Sequence, residues 1–344
     1  MMKGKKKRYA QIAFLLALIV GTVLIVKQQR DMPYQRNEGF IFGTVYHATY
    51  QYDKDLNDEI LAELNKVDGE FSMFNKKSTV ANFNNGRKVE ANDMFMDVLT
   101  LSQNVNKNTN GAFDITVAPL VNAWGFGFKH QKMPSQQQVD SLKHLVGMQN
   151  INIEKFNGKT YLSKKLKNMM LDFSAVAKGY GSDAVATVMR RHDIKNYMIE
   201  IGGEVVTSGL SEKRLPWKIG VSQPTDDSLN TNQEIQTILD ITNKAMATSG
   251  NYRNFYYKNG KKYAHEIDPK TGKPVQHSLL SSTVLANTCA EADAYATAFM
   301  VMGIEKAQQV LDKHSELMAY FIYSGKDGKN KVWYSPGLRK KIEK

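Results

Sequence analysis

The stretch CAEADAYATA at residues 289–298 is the most informative part of the 344-residue chain. Small and apolar residues dominate it and continue beyond it, which predicts a helix over residues 290–302. Asp293 and Thr297 lie four residues apart, so their side chains share one face of that helix. A carboxylate and a hydroxyl suit a hard cation such as Mg²⁺, which completes its coordination shell with phosphate and water. The pair alone also fits a simple hydrogen bond along the helix face.

Helix and strand patterns surround this segment without a regular alternation of the two. Helices are predicted for residues 58–67, 93–105, 135–146, 174–191, 290–302 and 304–314, and strands for residues 43–50, 197–201, 217–221, 235–241 and 317–323. The irregular order favours an α+β fold of mixed sheets and helices over a doubly wound sheet. Because no internal repeat or long linker interrupts residues 39–335, they are predicted to form a single catalytic domain.

The N-terminus combines a basic start with an apolar run at residues 12–26. No small-residue cleavage site and no lipid-carrying cysteine follows the run, which favours an uncleaved signal anchor; a cleaved secretory signal is the alternative. The anchor divides the chain into a basic cytoplasmic segment at 1–8, a single-pass transmembrane helix at 9–27, a tether at 28–38, the domain at 39–335 and a basic tail at 336–344. The lysines ahead of the run place the catalytic domain on the extracytoplasmic (periplasmic or outer) face of the cell membrane.

Composition excludes several classes of function. Much of the net charge of +12 lies in the two termini, and no basic stripe interleaved with aromatic residues occurs elsewhere. Nucleic-acid binding is therefore not predicted. Cys289 is the only cysteine, so the chain cannot form an internal disulfide. The P-loop, dinucleotide-binding, zinc-protease and G-x-S-x-G hydrolase motifs are also absent from the sequence.

A second cluster, LDFSAVAKGY at residues 171–180, contains the material for a phosphate site. Ser174 is a plausible N-cap for the helix predicted at 174–191. The free backbone amides of such a helix start would then lie beside Asp172 and Lys178, where they would attract a phosphate. An ordinary surface pair of aspartate and lysine on a capped helix is the alternative.

A third cluster, HEIDPKTGKP at residues 265–274, contains a candidate general base. The Asp-Pro and Thr-Gly pairs predict a tight turn that would hold His265 in place. A histidine with a carboxylate three residues later, as in His265 and Asp268, can act as a general base. The alternative is that His265 is an ordinary surface histidine without a catalytic role. Three further clusters of polar residues and glycine are GAFDITVAPL at 111–120, IEIGGE at 199–204 and ATSGNYR at 247–253, the last of which is expected to be a turn.

Taken together and in this order, the clusters resemble the ApbE family, the FAD:protein FMN transferases. The motifs that carry the resemblance are G-A-F-D-x-T-V-x-P-L, D-x-S-A-x-A-K-G-Y, E-I-G-G-E, A-T-S-G-x-Y-R, H-x-I-D-P-x-T-G-x-P and E-A-D-A-x-A-T-A. The resemblance runs from about residue 42 to residue 303. It implies an ApbE-type domain that uses Mg²⁺ to transfer FMN from FAD to a threonine or serine hydroxyl of an acceptor protein, with release of AMP.

The resemblance also implies roles for individual residues. Asp293 and Thr297 correspond to metal-binding side chains, and the carbonyl of Ala175 corresponds to a backbone ligand. His265 corresponds to the base that deprotonates the acceptor hydroxyl. The residues expected to line the FAD site are Phe42, Phe74, Ala112, Phe113, Asp114, Asp172, Lys178 and Ile267. The chain departs from the family at two of these, because Phe42 stands where many members have methionine and Phe74 where tyrosine is frequent.

The resemblance further implies partners. The expected acceptors are flavin-carrying subunits of membrane redox complexes of the Rnf or sodium-pumping NADH:quinone oxidoreductase type. Two other functions remain open from the sequence: an FAD pyrophosphatase that yields FMN and AMP, and a periplasmic flavin-binding protein without turnover. Formation of a flavin adduct on an acceptor separates the first alternative from transfer, and AMP formation separates the second.

Overall fold

The computed structural model describes residues 2–127, 133–225, 234–252 and 254–342. The strands in these ranges are β1 Tyr34–Ile41, β2 Thr44–Gln51, β3 Val89–Ala91, β4 Ile151–Phe156, β5 Lys159–Lys164, β6 Tyr197–Ile201, β7 Glu204–Ser208, β8 Trp217–Ser222, β9 Ile235–Ile241, β10 Lys244–Gly250, β11 Phe255–Lys258, β12 Lys261–Ala264, β13 Ile267–Asp268, β14 Lys273–Pro274, β15 Leu279–Ala286, β16 Met318–Ser324 and β17 Asn330–Tyr334. The helices are α1 Met2–Asp31, α2 Asn57–Phe71, α3 Thr79–Asn84, α4 Asp93–Asn108, α5 Ala118–Ala123, α6 Gln136–Lys143, α7 Ala177–Arg191, α8 Cys289–Met302 and α9 Ile304–Leu311.

Eight of the strands form the main sheet, in the order β1-β2-β6-β7-β10-β15-β16-β17. All neighbouring strands in it are antiparallel. The remaining strands form the small sheets β3-β5-β4, β8-β9, β11-β12 and β13-β14. Within the described ranges, helices and antiparallel sheets therefore coexist without βαβ units, which confirms the predicted α+β class.

Helix α8 packs on the main sheet through small side chains. Ala292 of α8 shares a buried cluster with Ala247 of β10 and Val284 of β15, and small residues on both surfaces allow the backbones to approach closely. Leu285 follows Val284 on the same strand and therefore faces the other side of the sheet, where it packs in a second cluster with Trp217. The main sheet is thus covered on both faces, and α8 is buried within the domain.

The predicted helices at 58–67, 93–105, 290–302 and 304–314 are confirmed as α2, α4, α8 and α9. Ser135 caps α6 as predicted, in a capping box with Gln138. The prediction for residues 174–191 was wrong at its start, because α7 begins at Ala177 and the cap position is Val176, without a side-chain cap. Residues 247–253 were expected to be a turn, but residues 247–250 belong to the central strand β10.

The two ends of the chain differ from the predicted division. Helix α1 continues to Asp31 and β1 begins at Tyr34, so the segment expected to be a tether at 28–38 is helical at its start and extended from Tyr34. None of the helices in the described part of the chain is both long and apolar enough to cross a bilayer. At the C-terminus, Leu338 is buried and Ile342 forms a β-bridge with Leu239, so the basic segment at 336–342 lies against β9.

Candidate functional site

A cleft of about 530 Å³ brings most of the predicted site residues together. We define its core wall as the lining residues of β7, β10, α7 and α8 and of the segments that lead into α7 and β7. They are Asp172, Ser174, Ala175, Lys178, Gly202, Glu204, Thr248, Ser249, Gly250, Asp293 and Thr297. We define its outer wall as the lining residues of the segments 112–127 and 254–269. The tip of the β1-β2 hairpin at 42–44 and Met73 with Phe74 complete the lining, together with Val301. Of the predicted site residues, Asp268 alone is not part of this lining.

The core wall places Asp293 in a fixed, water-poor position. Its side chain is 3% exposed, and its Oδ2 atom accepts a hydrogen bond of 3.2 Å from the backbone N–H of Gly179 on α7. A Cβ atom at Gly179 would lie 2.4 Å from the carbonyl oxygen of Cys289, so only glycine allows α7 and α8 to approach this closely. Burial raises the pKa of Asp293, while nearby Lys178 and the Gly179 N–H favour the charged form.

Thr297 lies one helical turn after Asp293 and also faces the cleft. Its hydroxyl oxygen is 3.1 Å from the hydroxyl oxygen of Ser249 on β10, so its hydrogen-bonding contact is across elements rather than along the helix. Ala175, whose backbone carbonyl is the predicted third ligand, belongs to the cleft lining as well. A carboxylate, a hydroxyl and a backbone carbonyl are all hard oxygen donors, which fits Mg²⁺. No group of three or more His, Cys, Asp or Glu side chains with metal-binding geometry occurs within the described ranges.

Lys178 reaches across the cleft floor to a glutamate on β7. Its Nζ atom lies 2.6 Å from Oε1 of Glu204, a residue that is 1% exposed. Gly202, in the strand turn just before Glu204, adopts φ 62°, and its Cβ position would collide with Thr44. The ion pair holds a positive charge at the cleft surface, in the position where the sequence predicted a phosphate-binding lysine.

Asp172 joins the core wall to the outer wall, and Asp114 stabilises a turn within the outer wall. Oδ1 of Asp172 accepts a hydrogen bond of 2.8 Å from Ser174 N–H, and the Asp172 N–H donates one of 2.7 Å to the carbonyl of Ile115. Oδ1 of Asp114 accepts from both the backbone N–H and the hydroxyl of Thr116. Burial raises the pKa of both carboxyl groups, and these hydrogen bonds oppose the shift. Both aspartates therefore shape the loops in addition to lining the cleft.

Two phenylalanines lie at the open edge of the cleft. Phe42 has φ 53°, an uncommon backbone conformation for a large residue, and its ring packs where a Cβ atom at Gly181 would lie. Phe74 is 80% exposed although it lines the cleft. Ala112, Phe113 and Ile267 add further apolar surface on the outer wall. An exposed aromatic face beside apolar residues provides a surface on which a planar ring could stack.

Aromatic stacking builds the outer wall from short segments. The ring of Trp124 stacks on Tyr263 with centroids 5.9 Å apart, and Phe126 stacks on Tyr256 at 5.2 Å. The indole N–H of Trp124 donates a hydrogen bond of 2.7 Å to the carbonyl of Gly272. These contacts connect residues 112–127 to the β11-β12 hairpin and to the turn after β13.

His265 lies on the outer wall and faces the cleft. Its Nδ1 atom is 3.3 Å from the carbonyl oxygen of Asn254 and 3.5 Å from Oε2 of Glu266. Asp268 lines a neighbouring cavity, and its Oδ1 atom accepts a hydrogen bond from Lys270 N–H in the turn. The structure therefore brings His265 to the predicted place but does not bring the Asp268 side chain into the cleft with it. The physical reason is that β13 ends at Asp268, whose carboxylate is used to stabilise the following turn.

Among the cleft residues that the sequence did not predict, four make polar contacts or carry a charge at the site. Glu204, Ser249 and Glu266 lie within motifs that the sequence displayed, but nothing in the motifs showed that these side chains face a ligand site. Asn254 gave no sequence signal, because its contribution is a backbone carbonyl.

Comparisons with known proteins agree with this geometry. A family model described as the ApbE family matches residues 42–321, a range that includes both walls of the cleft. The chain is 37% identical over 303 residues to the FAD:protein FMN transferase of Haemophilus influenzae, covering 84% of this chain and 86% of the relative. It is 35% identical over 312 residues to the FAD:protein FMN transferase of Escherichia coli K12, covering 88% and 87% respectively.

Solved structures show the same fold. The chain superposes on the flavin transferase ApbE from Vibrio cholerae with a TM-score of 0.79 and 32% identity, covering 90% of this chain and 100% of that one. The apo form of the flavinyl transferase ApbE from Pseudomonas stutzeri gives a TM-score of 0.78 with 27% identity, covering 90% and 97%.

Proposed function

The chain belongs to the ApbE family, and we propose that it is an FAD:protein FMN transferase that attaches FMN to a threonine or serine hydroxyl of an acceptor protein and releases AMP. The observation that carries the proposal is the convergence of segments far apart in sequence on one cleft. Asp172, His265 and Asp293 come from three separate motifs, yet all three line it. A buried carboxylate beside hydroxyls, a histidine and an exposed aromatic ring are what this reaction needs.

The chemistry exchanges the phosphoanhydride bond of FAD for a phosphate ester bond to the acceptor. The acceptor oxygen forms a bond to the phosphorus of the FMN half of FAD, and the bond from that phosphorus to the bridging oxygen breaks. AMP leaves with the bridging oxygen. His265 takes the hydroxyl proton, which makes the attacking oxygen a stronger nucleophile.

Asp293, Thr297 and the carbonyl of Ala175 would hold Mg²⁺ in this cleft. When bound, the ion neutralises charge that develops on the pyrophosphate during transfer. Lys178, kept in place by Glu204, supplies a further positive charge near the same floor. Phe74 offers its exposed ring to the isoalloxazine, in place of the tyrosine that is frequent in the family.

Mass spectrometry of an acceptor protein tests this function. The acceptors proposed, on the resemblance, are flavin-carrying subunits of Rnf or sodium-pumping NADH:quinone oxidoreductase complexes. After incubation with FAD, Mg²⁺ and this protein, the acceptor is expected to gain the mass of FMN minus water, with an equal amount of AMP in solution. Free FMN and AMP without an adduct would instead identify an FAD pyrophosphatase. Bound FAD without AMP would identify a flavin-binding protein.

The apolar run at residues 12–26 anchors the protein on the extracytoplasmic face of the cell membrane in this proposal. Support comes from the lysines that precede the run and from α1 itself, where apolar side chains such as Phe14, Leu16 and Val20 are exposed. Deleting residues 2–31 is expected to move the protein from the membrane pellet to the supernatant while FMN transfer continues. Unchanged membrane association of the shortened protein would refute the anchor.

A further inference from the structure

Glu266 is a buried carboxylate that the catalytic scheme above does not use. The residue is 4% exposed, it precedes β13, and it belongs to the cleft lining. Neither of its carboxylate oxygens has a hydrogen-bond partner among the residues that the structure describes. Burying a carboxylate without hydrogen bonds is costly, so such a group usually has a role beyond packing.

Glu266 lies beside His265, the proposed catalytic base. Nδ1 of His265 lies 3.5 Å from Oε2 of Glu266 and 3.3 Å from the carbonyl oxygen of Asn254. The backbone N–H of His265 donates a hydrogen bond of 3.1 Å to the same Asn254 carbonyl, which fixes the two segments to each other. Nδ1 therefore faces two oxygens that can only accept hydrogen bonds while Glu266 is ionised.

This arrangement determines which nitrogen of His265 carries the proton. A proton on Nδ1 is stabilised by a hydrogen bond to the Asn254 carbonyl and by electrostatic attraction to the Glu266 carboxylate, whereas a lone pair there would be repelled by both oxygens. The neutral ring is therefore in the Nδ1–H tautomer, and Nε2 is free to accept a proton. Once Nε2 has taken the proton of the acceptor hydroxyl, the ring becomes an imidazolium beside the Glu266 carboxylate.

We propose that Glu266 is the positioning residue of the transferase: it orients His265 in the Nδ1–H tautomer and stabilises the imidazolium that forms during transfer. The inference rests on the proposed function for its kinetic part, but the tautomer does not depend on it. Sequence spacing had suggested Asp268 for this partnership. Its carboxylate is instead engaged by Lys270 N–H and borders the adjacent cavity.

Two other neighbours do not account for the buried charge. Nε2 of His277 donates to the carbonyl of Met300 at 2.7 Å, and burial lowers the pKa of His277, which favours its neutral form. Val275 N–H donates to the backbone carbonyl of Glu266, not to its side chain. The backbone contact that holds the segment thus survives a change of the side chain.

The experiment compares Glu266→Gln, which keeps the shape and removes the charge, with Glu266→Asp, which keeps the charge on a shorter side chain. Glu266→Gln is expected to lower kcat for FMN transfer about tenfold or more with an unchanged KM for FAD, because positioning acts on the proton transfer rather than on binding. Glu266→Asp is expected to recover part of the loss. In a His265→Ala background, Glu266→Gln should cause no further loss, since the two residues act as one unit.

Glu305→Gln is the matched control, because Glu305 is an exposed carboxylate of α9 outside the cleft lining. Its kcat should equal that of the wild type. Wild-type kcat in Glu266→Gln would overturn the inference while leaving the transferase function intact.

Nitrogen NMR of ¹⁵N-histidine-labelled protein supplies a readout that needs no turnover. The chain has seven histidines, and the signals of His265 are identified as the set that is missing from the spectrum of His265→Ala. His265 is expected in the Nδ1–H tautomer in the wild type, and Glu266→Gln should change its Nδ1 signal most among the histidines. The Nε2–H tautomer in the wild type would refute the role of Glu266, even if no acceptor were flavinylated.

Discussion

The two walls of the cleft are built differently, although both carry site residues. The core wall rests on α7, α8 and β10, elements of seven or more residues that pack within the main core. The outer wall rests on the six-residue helix α5, the two-residue strand β13 and stacked aromatic rings. A small separate cluster around Leu120, Trp124 and Ile267 supports most of it, and Phe113 and Ile115 at its start pack in the main core.

This difference matches the tasks of the two walls. The proposed metal ligands would have to keep their distances within a few tenths of an ångström, and long buried elements provide that rigidity. The outer wall carries His265, which in the proposed function takes the proton of a hydroxyl presented by another protein. Short segments joined by aromatic contacts can adjust more readily, because fewer buried contacts hold them. We therefore expect substitutions in the core wall to lower activity and the free energy of unfolding more than substitutions in the outer wall do.

Removing the carboxylate of the core wall should have the largest effect. Asp293→Ala is expected to lower kcat for AMP formation from FAD by about 10³-fold or more, because it removes the only buried carboxylate in the expected metal set. Glu291→Gln on the same helix, outside the cleft lining, is the control and should retain activity. Equal AMP formation by Asp293→Ala and wild type at saturating Mg²⁺ would remove the metal assignment.

Truncating one aromatic side chain in the core that supports the core wall and one in the outer wall tests the difference in rigidity between the two walls. Phe173 is fully buried between Phe71 and Phe95, so Phe173→Ala should lower the free energy of unfolding by about 3–4 kcal/mol. Phe126 is only partly buried in the outer wall, and Phe126→Ala should cost about 1–2 kcal/mol. Urea denaturation measures both. A larger loss for Phe126→Ala would mean that the outer wall is the stronger one.

The anchoring of α8 in the core wall should depend on pH through Asp183. Its carboxylate accepts hydrogen bonds of 2.9 Å from the N–H groups of Cys289 and Ala290, yet burial raises its pKa to about 6. Between about pH 4 and pH 6 the folded protein retains a proton that the unfolded chain has released, so stability falls as the pH rises through this window. The total change should be about 2–3 kcal/mol.

Asp183→Asn isolates this effect, because it removes the titrating group and leaves the other carboxylates in place. The unfolding free energy of the wild type minus that of the variant should decrease from pH 4 to pH 6 and level off above it. A difference that rises with pH over this range would show that the hydrogen bonds outweigh burial.

The smallest effect is expected at the open edge of the cleft. Phe74→Ala should weaken FAD binding about tenfold, which is the contribution of one stacked ring pair. Because Phe74 is 80% exposed, the free energy of unfolding should not change. Phe74→Tyr keeps the ring and should bind FAD as the wild type does. Titration of flavin fluorescence measures the affinities, and equal affinity in Phe74→Ala would place the isoalloxazine elsewhere.

The sequence by itself determined the α+β class, most of the long helices and the pairing of Asp293 with Thr297. These features depend on periodicity within one segment, and the helical repeat brings residues four apart to the same face whatever surrounds them. The six motifs identified the family for the same reason, because each motif is local. Their order along the chain was visible without any knowledge of how they meet.

Only the tertiary structure decided which side chains meet across the cleft. Lys178 with Glu204, Thr297 with Ser249, and His265 with the carbonyl of Asn254 are contacts between separate elements. The central strand β10 was mistaken for a turn because its polar residues are covered by neighbouring strands that sequence periodicity cannot show. The sequence predicted Asp268 as the partner of His265, because spacing does not reveal which carboxylate is used to stabilise a turn. Burial and hydrogen bonding are properties of the assembled fold, and they alone separate the carboxylate that stabilises a turn from the one beside the histidine.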